Sequence, residues 1–127
     1  MSKENVDYFR KRAEADFGLA LSDIPPRWKI IVAFYSAYSF VIARIAATHP
    51  YGFKEIMSKG SHALVKRRMS DDNELRPLYR EFDFLHQQAT KARYKLWEPD
   101  STTVEEAIRY LDLIKKKVLT LLEVNRS

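Results

Sequence analysis

The chain has 127 residues, 46% hydrophobic and 13% aromatic, enough for one domain with a core of its own. It has no cysteine, which excludes disulfides, thiolate metal sites and a cysteine nucleophile. With 22 basic against 17 acidic residues the net charge is +5, a modest bias towards nucleic acid, nucleotide or other acidic partners.

The first residues, Met1-Ser2-Lys3-Glu4-Asn5-Val6-Asp7, are charged and have no apolar stretch, so a signal peptide is not expected and a cytoplasmic location is. The first helix is expected from Lys3 to Leu21. Val6, Phe9, Ala13, Phe17 and Ala20 recur there at three- and four-residue steps and make one apolar stripe. Asp23-Ile24-Pro25-Pro26 breaks the chain, and proline suits the first turn of a second helix.

That second helix is expected from Pro26 to Thr48. Trp28, Ile31, Phe34, Tyr35, Tyr38, Phe40, Val41, Ile42 and Ile45 cover most of its circumference, the mark of a central bundle helix. Its apolar middle resembles a membrane span, but Arg44 and its tyrosines and serines argue for burial in protein. No membrane association is expected. His49-Pro50-Tyr51-Gly52 ends this helix.

From Phe53 to Met69 the pattern fits either one kinked helix or two short ones, because Gly60-Ser61 interrupts it. Ser70-Asp71-Asp72-Asn73 is a capping cluster, and a long fourth helix is expected from Glu74 to Lys95 with Pro77 in its first turn. After Trp97-Glu98-Pro99-Asp100, a last helix is expected from Val104 to Val124. Thr102 and Thr103 would cap it, with Glu105 and Glu106 at capping-box spacing. The expected fold is all-α, an up-down bundle of about five helices forming a single domain over residues 1–127.

Taken in order, these features resemble the HEPN superfamily of small helical bundles. The resemblance rests on the block Phe34-Tyr35-Ser36-Ala37-Tyr38 in the second helix, on Leu78-Tyr79 to Leu85, and on Ala92-Arg93-Tyr94 closing the fourth helix. It spans about Arg27 to Val118. It implies a role with RNA or nucleotides in a toxin–antitoxin, defence or accessory system. It also implies a homodimer, and a protein partner such as a nucleotidyltransferase or an antitoxin.

Ribonucleases of this superfamily carry an arginine, four to six intervening residues and a histidine. Arginine clamps phosphate, and histidine moves protons near neutral pH. Two pairs have that spacing, Arg44 with His49 and Arg80 with His86. Arginine is frequent enough here for such pairs to arise by chance. Where the resemblance places the functional arginine, five residues before Tyr94, the chain has Ala89. Arg80 and His86 are the candidate catalytic residues. On a continuous helix they lie about 120° apart, so they do not converge readily within one chain, although a dimer groove could recruit both.

Three basic clusters are candidate phosphate sites: Lys66-Arg67-Arg68, then Lys91, Arg93 and Lys95, then Lys115-Lys116-Lys117. The second is preferred because Tyr94 and Trp97 lie beside it and a base can stack there. Lys91, Arg93, Tyr94 and Lys95 are therefore the expected nucleic-acid or nucleotide site. His62 is expected to be an exposed part of the first cluster. Neither a metal site nor a cofactor is expected, since three scattered histidines without cysteine make no ligand set. Three functions stay open: a binding module without catalysis, a divergent ribonuclease, and a dimerisation or protein-interaction module.

Overall fold

The computed structural model describes residues 3–126, with side chains described to residue 124, and is an all-α bundle. Among the described residues there are six α-helices and one 3₁₀ turn. They are α1 Lys3–Ala20, α2 Pro26–Thr48, α3 Pro50–Lys59, α4 His62–Asp71, the turn Arg76–Leu78, α5 Tyr79–Tyr94 and α6 Ser101–Arg126.

Helix α2 is the axis. It packs extensively against α1, α6 and α5, and more lightly against α3 and α4. Ile30, Phe34, Phe40, Val41 and Ile42 on it are buried, and so are its small residues Ala33, Ser36, Ala37 and Ala43. Small side chains let α1 approach closely. There the Ser36 hydroxyl donates to the Ala13 carbonyl at 2.7 Å and so meets the requirement of a buried polar group. Although α2 is long and apolar enough to cross a membrane, 72% of its most apolar window is buried inside the bundle.

His49 serves two helices at once. Its backbone N–H closes α2 on the Ile45 carbonyl at 2.7 Å, and its Nδ1 accepts from the Gly52 N–H at 2.8 Å to cap α3. The tetrapeptide expected to end α2 thus also starts α3 at Pro50. A Cβ on Gly52 would lie 2.8 Å from His49 Nδ1 and 2.9 Å from Arg68 Nε, which is why glycine stands there. Gly60 then adopts φ +62, and the Ser61 hydroxyl accepts from Ala63 N and Leu64 N. The interrupted stretch is therefore two helices. The total exceeds the expected five for this reason.

Two other boundaries differ from the sequence reading. No helix begins at Glu74. Asp72 Oδ1 accepts from Glu74 N at 2.8 Å, and the Arg76 guanidinium reaches back to the Ser70 carbonyl at 2.9 Å and Asn73 Oδ1 at 2.7 Å. These bonds hold a turn around Pro77, and α5 starts only at Tyr79. Helix α6 begins earlier than expected, at Ser101. Asp100 Oδ1 accepts from Thr103 N at 2.8 Å, so Asp100, and neither threonine, is the cap.

The glycines give opposite expectations. Gly18 is exposed within α1 with nothing within 4 Å of an added Cβ. Gly18→Ala is expected to stabilise by about 0.5–1 kcal/mol through helix propensity. Gly60→Ala is expected to cost about 1–2 kcal/mol, because alanine is strained in the left-handed region. Urea denaturation of the two variants reads both signs.

Candidate nucleic-acid interface

On α2, Tyr38 comes four residues after Phe34 and three after Tyr35, so it shares a face with each of them. That face meets the start of α4 and the middle of α5. There the rings of His62 and His86 lie edge to face, with centroids 4.9 Å apart. His62 Nδ1 and His86 Nε2 are 3.2 Å apart, so one nitrogen donates and the other accepts. The His86 ring stacks on Phe34 at 5.0 Å, and His62 sets its edge against Phe34 at 5.3 Å and Tyr38 at 4.9 Å.

The pair is held neutral. Burial pushes His62 below the ordinary 6.5, and the charges of Arg93 and Lys66 push the same way. Burial likewise lowers His86, with Lys66, His62 and Arg93 adding to it and Asp83 opposing. One turn from each histidine, Lys66 Nζ and Asp83 Oδ1 form an ion pair at 2.7 Å.

Arg93 lies seven residues beyond His86, two turns along the same face of α5. Its guanidinium donates to the Tyr35 hydroxyl at 2.7 Å and the Tyr94 hydroxyl at 2.8 Å. It also sits over both rings, 5.8 Å from the Tyr35 centroid and 4.9 Å from that of Tyr94. Tyr94 is 70% exposed, so its ring is open to a stacking partner. Lys91 lies over the Trp97 ring at 5.5 Å, and Lys95 is exposed. Among the described residues none of Lys91, Arg93 and Lys95 pairs with a carboxylate.

The other two basic clusters differ. Lys66 is matched by Asp83, and Arg68 by Glu55 at 3.0 Å. Lys116 is matched by Asp112 at 2.7 Å and Lys117 by Glu74 at 2.8 Å, while Lys115 covers the Phe17 ring at 4.0 Å. Their charge is largely spent inside the molecule. That of the α5 end is not.

Among the described residues neither of the two Arg–His pairs that spacing suggests is joined by a side-chain bond. Arg80 is exposed on α5 and has no part in the cluster, and His86 faces His62 instead. His62 is half-buried, against the expectation of an exposed surface residue, because the Gly60–Ser61 break turns the start of α4 towards α5. Arg44 is held by Asp72 at 3.0 Å and His49 by Gly52. Both line a polar depression of about 590 Å³ whose cations Arg44 and Arg68 are already paired. A second depression of about 570 Å³ has an apolar floor of Phe17, Leu21, Val104 and Ile108 and a rim of both charges, Lys29 and Arg109 with Glu105 and Asp112. Among the described residues no group of three metal-ligating side chains comes together.

Because both histidines take up protons less readily in the fold than in the unfolded chain, the unfolded state binds more protons once the pH drops below about 7. Their contribution to stability is complete above the ordinary 6.5 and declines as the pH falls through it towards the lowered folded values. The thermal midpoint is expected to fall over that window, and to fall less in His62→Gln/His86→Gln.

Comparison of the chain with protein-family models, with curated proteins and with solved structures finds no match. What defines the protein is its own architecture: a small all-α bundle that presents an unneutralised cationic and aromatic face beside a half-buried histidine pair.

Proposed function

We propose that the chain is a HEPN-like helical module that binds single-stranded RNA or a nucleotide on the face formed by Lys91, Arg93, Tyr94 and Lys95. The observation that carries this reading is Arg93. Among the described residues its charge meets no carboxylate, it is oriented by two tyrosine hydroxyls, and it lies beside an exposed ring. A guanidinium has five N–H donors, and the tyrosines engage two of its nitrogens, so donors remain for phosphate. Tyr94 offers a stacking surface for a base. The order of the helices and the aromatic block on α2 support the family resemblance. On that resemblance the module works as a dimer beside a partner protein in a toxin–antitoxin, defence or accessory system.

The test is anisotropy of a labelled single-stranded RNA at low salt, without added metal. Binding is expected to weaken with salt at a log–log slope of about −2, as three phosphate contacts on a single strand require. Arg93→Glu/Lys95→Glu is expected to weaken it by at least about 100-fold, since each charged hydrogen bond contributes about 1.5–3 kcal/mol. Unchanged affinity for RNA and for nucleotides would sink the reading.

The His62–His86 pair favours a second reading, a metal-independent ribonuclease. One imidazole would take the 2′-hydroxyl proton, and the other would protonate the departing 5′-oxygen. Arg93, in place of Arg80, would stabilise the charged phosphorus centre. The same RNA separates the readings. Binding without cleavage supports the first, and cleavage abolished by His86→Ala replaces it with the second.

A further inference from the structure

We propose that phosphate binding at Arg93 is coupled to uptake of one proton by the His62–His86 pair, so that this face holds its ligand more tightly under mildly acidic conditions. The inference rests on the binding reading above and adds its regulation.

Two imidazoles whose nitrogens face each other at 3.2 Å already share one hydrogen. A further proton makes the pair a cation that keeps this hydrogen bond, now charge-assisted. A second extra proton would set two N–H groups against each other, so the pair takes up one. What opposes even that one is its surroundings. From α2 it faces Phe34, which carries no charge, and the hydroxyl-bearing ring of Tyr38. From α4 it faces Lys66, and from α5 Asp83 and Arg93. Asp83, the one acid of this set, is engaged by Lys66 at 2.7 Å and Gln87 at 2.6 Å. Burial and Lys66 oppose the proton as well, but Lys66 is paired with Asp83, whereas Arg93 meets no carboxylate among the described residues, so its repulsion is the part that a ligand can cancel.

An anion on Arg93 removes that repulsion. The pair then binds its proton more readily, and by reciprocity a protonated pair raises affinity for the anion. Tyr35 ties the two sites together. Its hydroxyl accepts from Arg93, while its ring lies 5.2 Å from Phe34 and 6.4 Å from Tyr38, the residues that hold the histidine rings. Among the described residues the one carboxylate that faces the pair, Asp83, is already engaged by Lys66 and Gln87, so the ligand supplies the further negative charge.

The probe is a short oligouridylate with hydroxyl ends, whose bases and diesters keep their charge between about pH 5.5 and 8. Titration calorimetry on the full chain, repeated in buffers of different ionisation enthalpy, counts the protons taken up. The expected result is an uptake between zero and one near neutral pH. Affinity should rise several-fold as the pH drops from about 8 to 6, within the tenfold per unit that one linked proton allows. His62→Gln/His86→Gln, checked for folding by circular dichroism, should lose that pH slope. A proton count of zero with binding intact overturns the coupling and leaves the binding reading standing. A slope that persists in the double variant assigns the proton elsewhere and also overturns it. Absence of binding at every pH removes both.

Discussion

Phe34→Ala is expected to destabilise the protein by about 3–5 kcal/mol, the usual range for removing a fully buried aromatic side chain. Phe34 has no exposed surface, and its ring meets those of Tyr35, Tyr38, His62, Phe82 and His86 within 6 Å. It is the point where α2, α4 and α5 converge. Domains of this size are stable by about 5–15 kcal/mol, so the variant should retain little margin. Urea unfolding followed by circular dichroism measures the loss, with an unchanged denaturant slope as the sign that only stability moved. Trp28→Ala is the control. Trp28 is larger but 54% exposed, so its removal should cost about 1 kcal/mol or less. A cost for Phe34→Ala no larger than the control's would mean that the histidine nest is not part of the core.

Phe34 also shows how far the sequence can be read. The run of apolar and small residues between Pro26 and Thr48 marks a buried helix, and the helix has those bounds because prolines stand at its start and just past its end. Glu74 reads as a helix start because Pro77 is acceptable in a first helical turn. The reason the turn stays non-helical is in side chains, Asp72 and Arg76, whose bonds to nearby backbone carry no periodic signal. The same holds at Asp100, where a single cap starts α6 two to three residues before the threonines would.

The candidate site is legible only in part. Arg93 and Tyr94 are neighbours in sequence at the end of an evident helix, so a cation beside an aromatic ring is visible without coordinates. The three basic clusters look alike in sequence. They are told apart by carboxylates that lie far along the chain, such as Asp83 for Lys66 and Glu74 for Lys117. His62 and His86 are 24 residues apart, and their meeting depends on the direction in which α4 leaves Gly60. No spacing rule reports that direction.

Asp72→Ala is expected to cost about 3 kcal/mol, from a lost cap and from a guanidinium left without its partner. Asp72 accepts from Arg44 Nε at 3.0 Å and from the Glu74 N–H at 2.8 Å. The two side chains are only 12% and 16% exposed, so solvent screens the pair less than it would a surface bridge. Asp72→Asn should cost less, because an amide oxygen can still cap. In the double variant Arg44→Met/Asp72→Ala the losses should fall short of their sum by about 1–2 kcal/mol, since removing the stranded cation relieves part of the damage. Burial pushes the Asp72 carboxyl up, but the Arg44 guanidinium and the backbone N–H of Glu74 outweigh it and hold the group below the ordinary 3.8. Its contribution is thus complete above the ordinary carboxylate range and is lost as the pH falls through that range to the lowered folded value. Acid unfolding should therefore have two limbs. The one near and below 6.5 belongs to the histidine pair and is flattened by His62→Gln/His86→Gln. The one below 3.8 draws on Asp72 and is reduced by Asp72→Asn, which leaves the upper limb untouched. A lower limb unchanged in Asp72→Asn would mean that Arg44 gains nothing from the carboxylate it contacts.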